Sequence, residues 1–319
     1  MRNVIIDVDT GIDDAQALLL ALCTPEFNVL GITCVNGNVI LDKVTKNTLK
    51  VVEHSRKKVK VYVGASQAMI PEKSENAPHI HGSDGLGDLD FPEPSLQIED
   101  EEAVSFIART LQNSPDPIEI IAIGPLTNIA LAIQKYPEII SHVSMLTMMA
   151  GGIDFGNTLP MSEFNVFADP ESAKIVFDSN LPKIMVPLDP LWHGGQINNE
   201  DILQLENEKD KPWCEMMAKL MRRTIEMADG SKRKYAMGEG SVAPPDLLTV
   251  ALAINPTFGV FENYQVFIET KGEYTRGMTV VDRRWNKTFI EGENCNQMAV
   301  CLSVDQKKYA ELVVRIMVA

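Results

Sequence analysis

The chain opens on an apolar run, Val4-Ile5-Ile6, that reads as a buried strand, and the Leu18-Leu19-Leu20-Ala21-Leu22 stretch behind it reads as a helix packed back on that strand. The alternation then repeats. Residues 28–35 predict a second strand, 41–55 a helix and 59–63 a third strand. Further along, the pattern predicts a helix over 101–112, a strand over 118–123, a helix over 126–134 and a strand over 143–149, which Gly151-Gly152 ends. Residues 169–177 read as a helix, 183–186 as a strand, about 199–228 as a helical region and 246–253 as an apolar helix. Residues 261–269 and 278–281 read as later strands, an antiparallel extension of the sheet. Alternating βαβ units imply an α/β fold, Rossmann-like, with a mainly parallel central sheet flanked by helices and a site at the C-terminal ends of the strands.

From residue 64 to about 100 the periodicity gives way to Pro, Gly, Ser and acidic residues, including His79-Ile80-His81-Gly82-Ser83-Asp84-Gly85. A loop of that length inside an enzyme domain is characteristic of a lid or a binding loop. A chain of 319 residues, 45% hydrophobic, can bury one large core. The expectation is therefore a single domain over 1–319, with an active-site loop at about 65–100 and a mobile helical region at about 196–242.

Charge and cysteine usage narrow the function classes. A net charge of -15 argues against a nucleic-acid partner, whose phosphates demand a basic face. No apolar run approaches the length of a membrane span, and the N-terminus has no signal-peptide pattern. The five cysteines, at 23, 34, 214, 295 and 301, lie mostly in apolar segments without Cys-x-x-Cys pairing, as reduced buried thiols do. A cytoplasmic protein with no membrane partner is expected.

The chemistry concentrates at the end of the first strand, where Asp7, Asp9, Asp13 and Asp14 fall within eight residues. Like charges raise one another's pKa in a small dry site unless a cation offsets them. Oxygen ligands with no Cys or His nearby favour calcium or magnesium over zinc. Three other readings compete. A solvated turn could cap the helix through Asp13 or Asp14, although one Asp would suffice. An EF-hand loop fits Asp7 and Asp9 but fails at Ile12, where Gly belongs, and at Leu18, where Glu belongs. A phosphohydrolase of the haloacid dehalogenase type, with Asp7 as nucleophile, Asp9 as acid/base and magnesium, matches Asp7-Val8-Asp9-Thr10-Gly11 but finds no convincing Lys or downstream acidic pair.

Three further groups complete a pattern: Gly124-Pro125-Leu126-Thr127-Asn128, then Glu163-Phe164-Asn165 with Asp169-Pro170, and finally Pro245-Asp246. Together with Asp7 to Ala15, and in this order over nearly the whole length, they resemble the inosine-uridine preferring nucleoside hydrolases. The resemblance implies that Asp9, Asp14, Asp246 and the carbonyl of Ile123 hold a calcium ion. It also implies that Asp13, Asn38, Asn157, Glu163, Asn165 and Asp246 bind the ribose of a small-molecule ribonucleoside, with Met149 near the sugar and Asp7 in support. Turn chemistry beside Gly151-Gly152 is the competing reading of Asn157 and Asn165. Asp9 would be the general base, and relatives assemble as homodimers or homotetramers. One departure stands out: many members carry His immediately before the last metal-binding Asp, and this chain has Pro245, which has no proton to give. His81 is the first candidate to meet the leaving base, ahead of Tyr235, Arg233, Trp192 and His193. A nucleoside-binding homologue that has lost turnover is the reading from outside enzymology.

Overall fold

The computed structural model describes residues 1–73, 75–231, 240–284 and 297–319. Its first strand, β1 (Arg2–Val8), is buried from Val4 onwards, as a strand covered on both faces must be. Alternation along β1 sorts its side chains: Val4, Ile6 and Val8 belong to one core cluster and Ile5 to the other. The sheet therefore separates two hydrophobic layers.

The remaining strands are β2 (Phe27–Cys34), β3 (Val61–Val63), β4 (Ile118–Ala122), β5 (Val143–Met149), β6 (Lys183–Val186), β7 (Gly259–Ile268), β8 (Thr279–Asp282) and β9 (Gln297–Val304). The helices are α1 (Ile12–Cys23), α2 (Leu41–His54), α3 (Pro78–His81), α4 (Ala103–Asn113), α5 (Thr127–Lys135), α6 (Phe164–Ala168), α7 (Pro170–Asp178), α8 (Asn199–Glu206), α9 (Pro212–Ser231), α10 (Pro245–Ile254) and α11 (Gln306–Val318). One nine-stranded sheet runs in the order β3-β2-β1-β4-β5-β6-β9-β7-β8. Neighbours from β3 to β9 are parallel, and β7 pairs antiparallel with both β9 and β8.

The expected single α/β domain with a mainly parallel sheet and an antiparallel extension is what forms. Beyond the predicted elements come the short helices α3 and α6, β9, which slots between β6 and β7, and α11, which packs Tyr309, Val313 and Met317 into the core. The helical region at 199–228 divides into α8 and α9, with Pro212 at the start of the second, a position where its missing N–H costs no helix bond.

The site follows from the strand order. From β1 the chain steps to β2 and β3 on one side, then returns to β4 on the other. The crevice beyond the carboxyl ends of β1 and β4 is the switch point where ligands bind in such sheets. Part of the 64–100 segment is tied down beside it. Asn47 donates to the Asp84 carbonyl at 2.8 Å, Lys43 to the Ser83 carbonyl at 2.7 Å, and Gly87 N–H to the His81 carbonyl at 2.8 Å.

Cys23, Cys34, Cys214 and Cys301 are free thiols, and Cys295 lies outside the described residues. Among the described residues, no helix is long and apolar enough to cross a membrane.

Candidate active site

Asp9 is the first residue past β1, and it is wholly buried. Its Oδ2 accepts the backbone N–H of Asn38 at 2.8 Å, while among the described residues its Oδ1 has no hydrogen-bond partner. Two glycines make the room. A Cβ at Gly37 would stand 2.0 Å from Asp9 Oδ2, and one at Gly124 would stand 2.7 Å from Oδ1. Gly124 heads the Gly124-Pro125-Leu126-Thr127-Asn128 group, so that motif is partly a cavity for a carboxylate.

Asp14 plays two parts. Its Oδ2 accepts Gly11 N–H at 2.9 Å and the Asn38 side-chain amide at 2.8 Å, and its Oδ1 accepts Asp9 N–H at 3.1 Å. The bond to Gly11 closes the first turn of α1, so the helix-capping reading of this Asp is correct as far as it goes. Capping leaves the second oxygen to tie the turn to Asp9.

Asp13, Asp14 and Asp246 each bring a carboxylate oxygen into a group in which all lie within 4.8 Å of one another, a set that could hold a metal ion. Asp246 sits in the first turn of α10, behind Pro245 at the start of that helix. Burial, then the charges of Asp13, Asp14, Asp9 and Glu163, push its pKa well above the usual carboxylate range. Asp9 is raised for the same reason, burial first and the charge of Asp14 next. Asp14 is pushed up to about 7 by burial and by Asp13. Such a concentration of like charge in a dry site calls for a cation. The donor set fits one: hard oxygens throughout, with Asp9 Oδ1 and Asp13 Oδ1 buried and, among the described residues, without hydrogen-bond partners.

On the far side of the crevice, Glu163 caps α6. Its Oε1 accepts Asn165 N–H at 2.7 Å, and its Oε2 accepts Gly151 N–H at 2.8 Å and Val166 N–H at 3.3 Å. Burial still raises its pKa to about 7, against those three donors. Asn165 donates its side-chain amide to the carbonyls of Ile123 at 2.9 Å and Met149 at 3.2 Å, and to the Met149 sulfur at 3.3 Å. A carbonyl has two lone pairs, so that of Ile123 can take a second partner. Asn165 thus stitches the ends of β4 and β5 to α6.

Asn157 is exposed, and its Oδ1 accepts Phe164 N–H at 2.8 Å and the Thr158 hydroxyl at 3.2 Å. These are turn bonds that set the entry to α6. Asp7 lies beneath the cluster, its Oδ1 accepting the Thr33 hydroxyl and the Asn128 amide, the latter at 2.8 Å. Burial raises it to about 7. Asn128 also donates to the Cys34 carbonyl at 3.0 Å and accepts Ala65 N–H at 2.8 Å, an anchoring role that its place in a motif did not disclose.

His81 ends the short helix α3 and is buried. Its Nδ1 accepts the backbone N–H of Ile12 at 3.1 Å and stands 3.7 Å from Asp13 Oδ1. Gly11 makes that approach possible, since a Cβ there would stand 2.4 Å from Nδ1. Trp192 is half-exposed with its ring edge-on to Phe155 at 4.4 Å, and His193 is an exposed neighbour. Arg233 and Tyr235 lie outside the described residues.

Residues 4–311 match the family model for inosine-uridine preferring nucleoside hydrolases. A pyrimidine-specific ribonucleoside hydrolase, RihA, of Salmonella paratyphi C (strain RKS4594) is 35% identical over 312 residues, covering 97% of this chain and 96% of that protein. Among solved structures, a purine-preferring ribonucleoside hydrolase from Gardnerella vaginalis superposes with a TM-score of 0.88 at 30% identity, over 99% of this chain and 98% of the other. The plant nucleoside hydrolase PpNRh1 superposes with a TM-score of 0.91 at 25% identity, over 100% and 99%. With the carboxylate crevice at the switch point and a match along nearly the whole length, the chain belongs to the inosine-uridine preferring nucleoside hydrolases, enzymes that split ribonucleosides into free base and ribose.

Proposed function

We propose that the crevice is a calcium-dependent ribonucleoside hydrolase site in which Asp9 is the general base. The observation that carries this is the carboxylate of Asp9: buried, fixed through Oδ2 by Asn38 N–H, and with Oδ1 free of any hydrogen bond among the described residues. A calcium ion held by Asp9, Asp14, Asp246 and the Ile123 carbonyl would bind the ribose hydroxyls and make a water more acidic. Asp9 accepts the proton of the water that attacks the anomeric carbon. Asp13, Glu163 and Asn165 bind the ribose hydroxyls, with Asn38 and Asn157 beside them and Met149 beneath the sugar. As the glycosidic bond breaks, positive charge builds on the ribose, and the surrounding carboxylates stabilise it.

The leaving base meets His81. A backbone N–H can only donate, so the bond from Ile12 makes Nδ1 an acceptor and leaves the ring proton on Nε2. Burial lowers the His81 pKa, which favours this neutral form. His81 therefore offers a neutral N–H to the base, and Pro245 offers none. Uridine and cytidine are the preferred substrates on this reading, in keeping with the pyrimidine-specific relative that matches 97% of the chain.

A reducing-sugar assay over uridine, cytidine, inosine, adenosine and guanosine tests the base preference. The 2′-deoxy counterparts test the ribose contacts, since a site built around a hydroxyl rejects an analogue that lacks it. Deoxyuridine cleaved as fast as uridine would contradict the ribose assignments.

A further inference from the structure

The base-side loop is hydrogen-bonded to α9 at a glycine, Gly87. Arg223, in the middle of α9, donates its Nε–H to the Gly87 carbonyl at 2.7 Å. The same glycine donates its N–H to the His81 carbonyl at 2.8 Å, and His81 in turn rests Nδ1 on Ile12 N–H at 3.1 Å. Gly87 has φ +75°, and a Cβ there would stand 2.6 Å from Arg223 Cγ and 3.4 Å from Ile12 Cδ1. Helix, loop and the start of α1 thus meet at a residue that has no side chain. Arg223 also pairs with Glu226 at 3.3 Å, but the Glu226 side chain is 66% exposed. An ion pair of that kind contributes little. The directed bond to Gly87 is the contact that a guanidinium supplies and a simple charge does not.

We propose that Arg223 is a positioning residue for His81. By holding the Gly87 carbonyl it fixes the residue whose N–H holds the His81 carbonyl, and so sets where the His81 ring stands against the leaving base. The inference rests on the reading of His81 as the residue that meets the base. Arg223 acts through His81 and makes no contact with substrate.

The test is a double-mutant cycle on uridine and inosine hydrolysis, with Arg223→Met and Arg223→Ala as alternative single changes. Methionine keeps an unbranched stem over Gly87 and removes the Nε–H; alanine removes it together with the stem. Each single variant is expected to melt within a few degrees of the parent and to lose about five- to tenfold in kcat with KM little changed, the effect of deleting one charged donor on a partly exposed side chain. In a His81→Ala background the same changes are expected to have no further effect. Two results would overturn the inference while His81→Ala remains impaired: Arg223 variants as active as the parent, or a loss of full size persisting without His81. If His81→Ala turns over normally, the reading of His81 itself fails, and the positioning role falls with it.

Discussion

Asn38 grips Asp9 by the main chain: its N–H reaches Oδ2 of Asp9 at 2.8 Å, and the other oxygen, Oδ1, is buried and without a hydrogen bond among the described residues. One oxygen is held and the other, among the described residues, is not. Asp9→Asn should therefore keep ribose binding, followed by calorimetry, and lose at least about 100-fold in kcat, the lower end of what a positioned general base contributes. Loss of ribose affinity in step with kcat would instead make Asp9 a binding residue.

The glycines that flank this carboxylate give a second expectation. An added methyl at position 37 would stand 2.0 Å from Asp9 Oδ2, closer than any real contact. Gly37→Ala should lower kcat by about tenfold or more as Asp9 is displaced. Gly124→Ala, aimed at the opposite oxygen at 2.7 Å, should act alike. Normal activity in both would mean that the position of Asp9 does not limit turnover.

Removing one of the crowded carboxylates should help the fold while harming the site. Asp246 is raised by burial and by four neighbouring carboxylates. In chelator at neutral pH, Asp246→Asn should melt higher than the parent, because a buried like charge has gone. Adding calcium should then raise its Tm far less than it raises the parent's. Equal calcium-induced shifts in the two proteins would remove Asp246 from the metal site.

The buried carboxylate beneath the cluster sets a pH dependence. Asp7 goes from an ordinary 3.8 to about 7 in the folded protein, so the folded state holds its proton more tightly. Its contribution is present below the lower value and is lost as pH rises towards the upper one. The Tm of the chelated protein should fall between about pH 4 and about pH 7, and Asp7→Asn should flatten that slope. A slope unchanged by the substitution would assign it to the other carboxylates.

Much of this architecture was legible because β1, β5 and β6 are mostly apolar and mostly buried; residues 143–149 and 183–186 form strands at the predicted bounds. The acidic turn was legible too, since four carboxylates in eight residues exceed what a helix cap needs. What escaped depends on tertiary contact. Asn128 reaches Asp7 across 121 residues, and Ile12 reaches His81 across 69, pairings that no local spacing encodes. Nor did the pattern predict β9 or α11, whose places depend on β6 and the core they join. The turn chemistry of Asn157 beside Gly151-Gly152 was legible as well, and its Oδ1 accepts the N–H of Phe164 at the entry to α6.

The most direct measurement is the release of free ribose from uridine by the parent protein and by Asp9→Asn, each with calcium and after chelation. The account predicts release that requires both calcium and Asp9. Undiminished release by Asp9→Asn, or by the chelated parent, would contradict it.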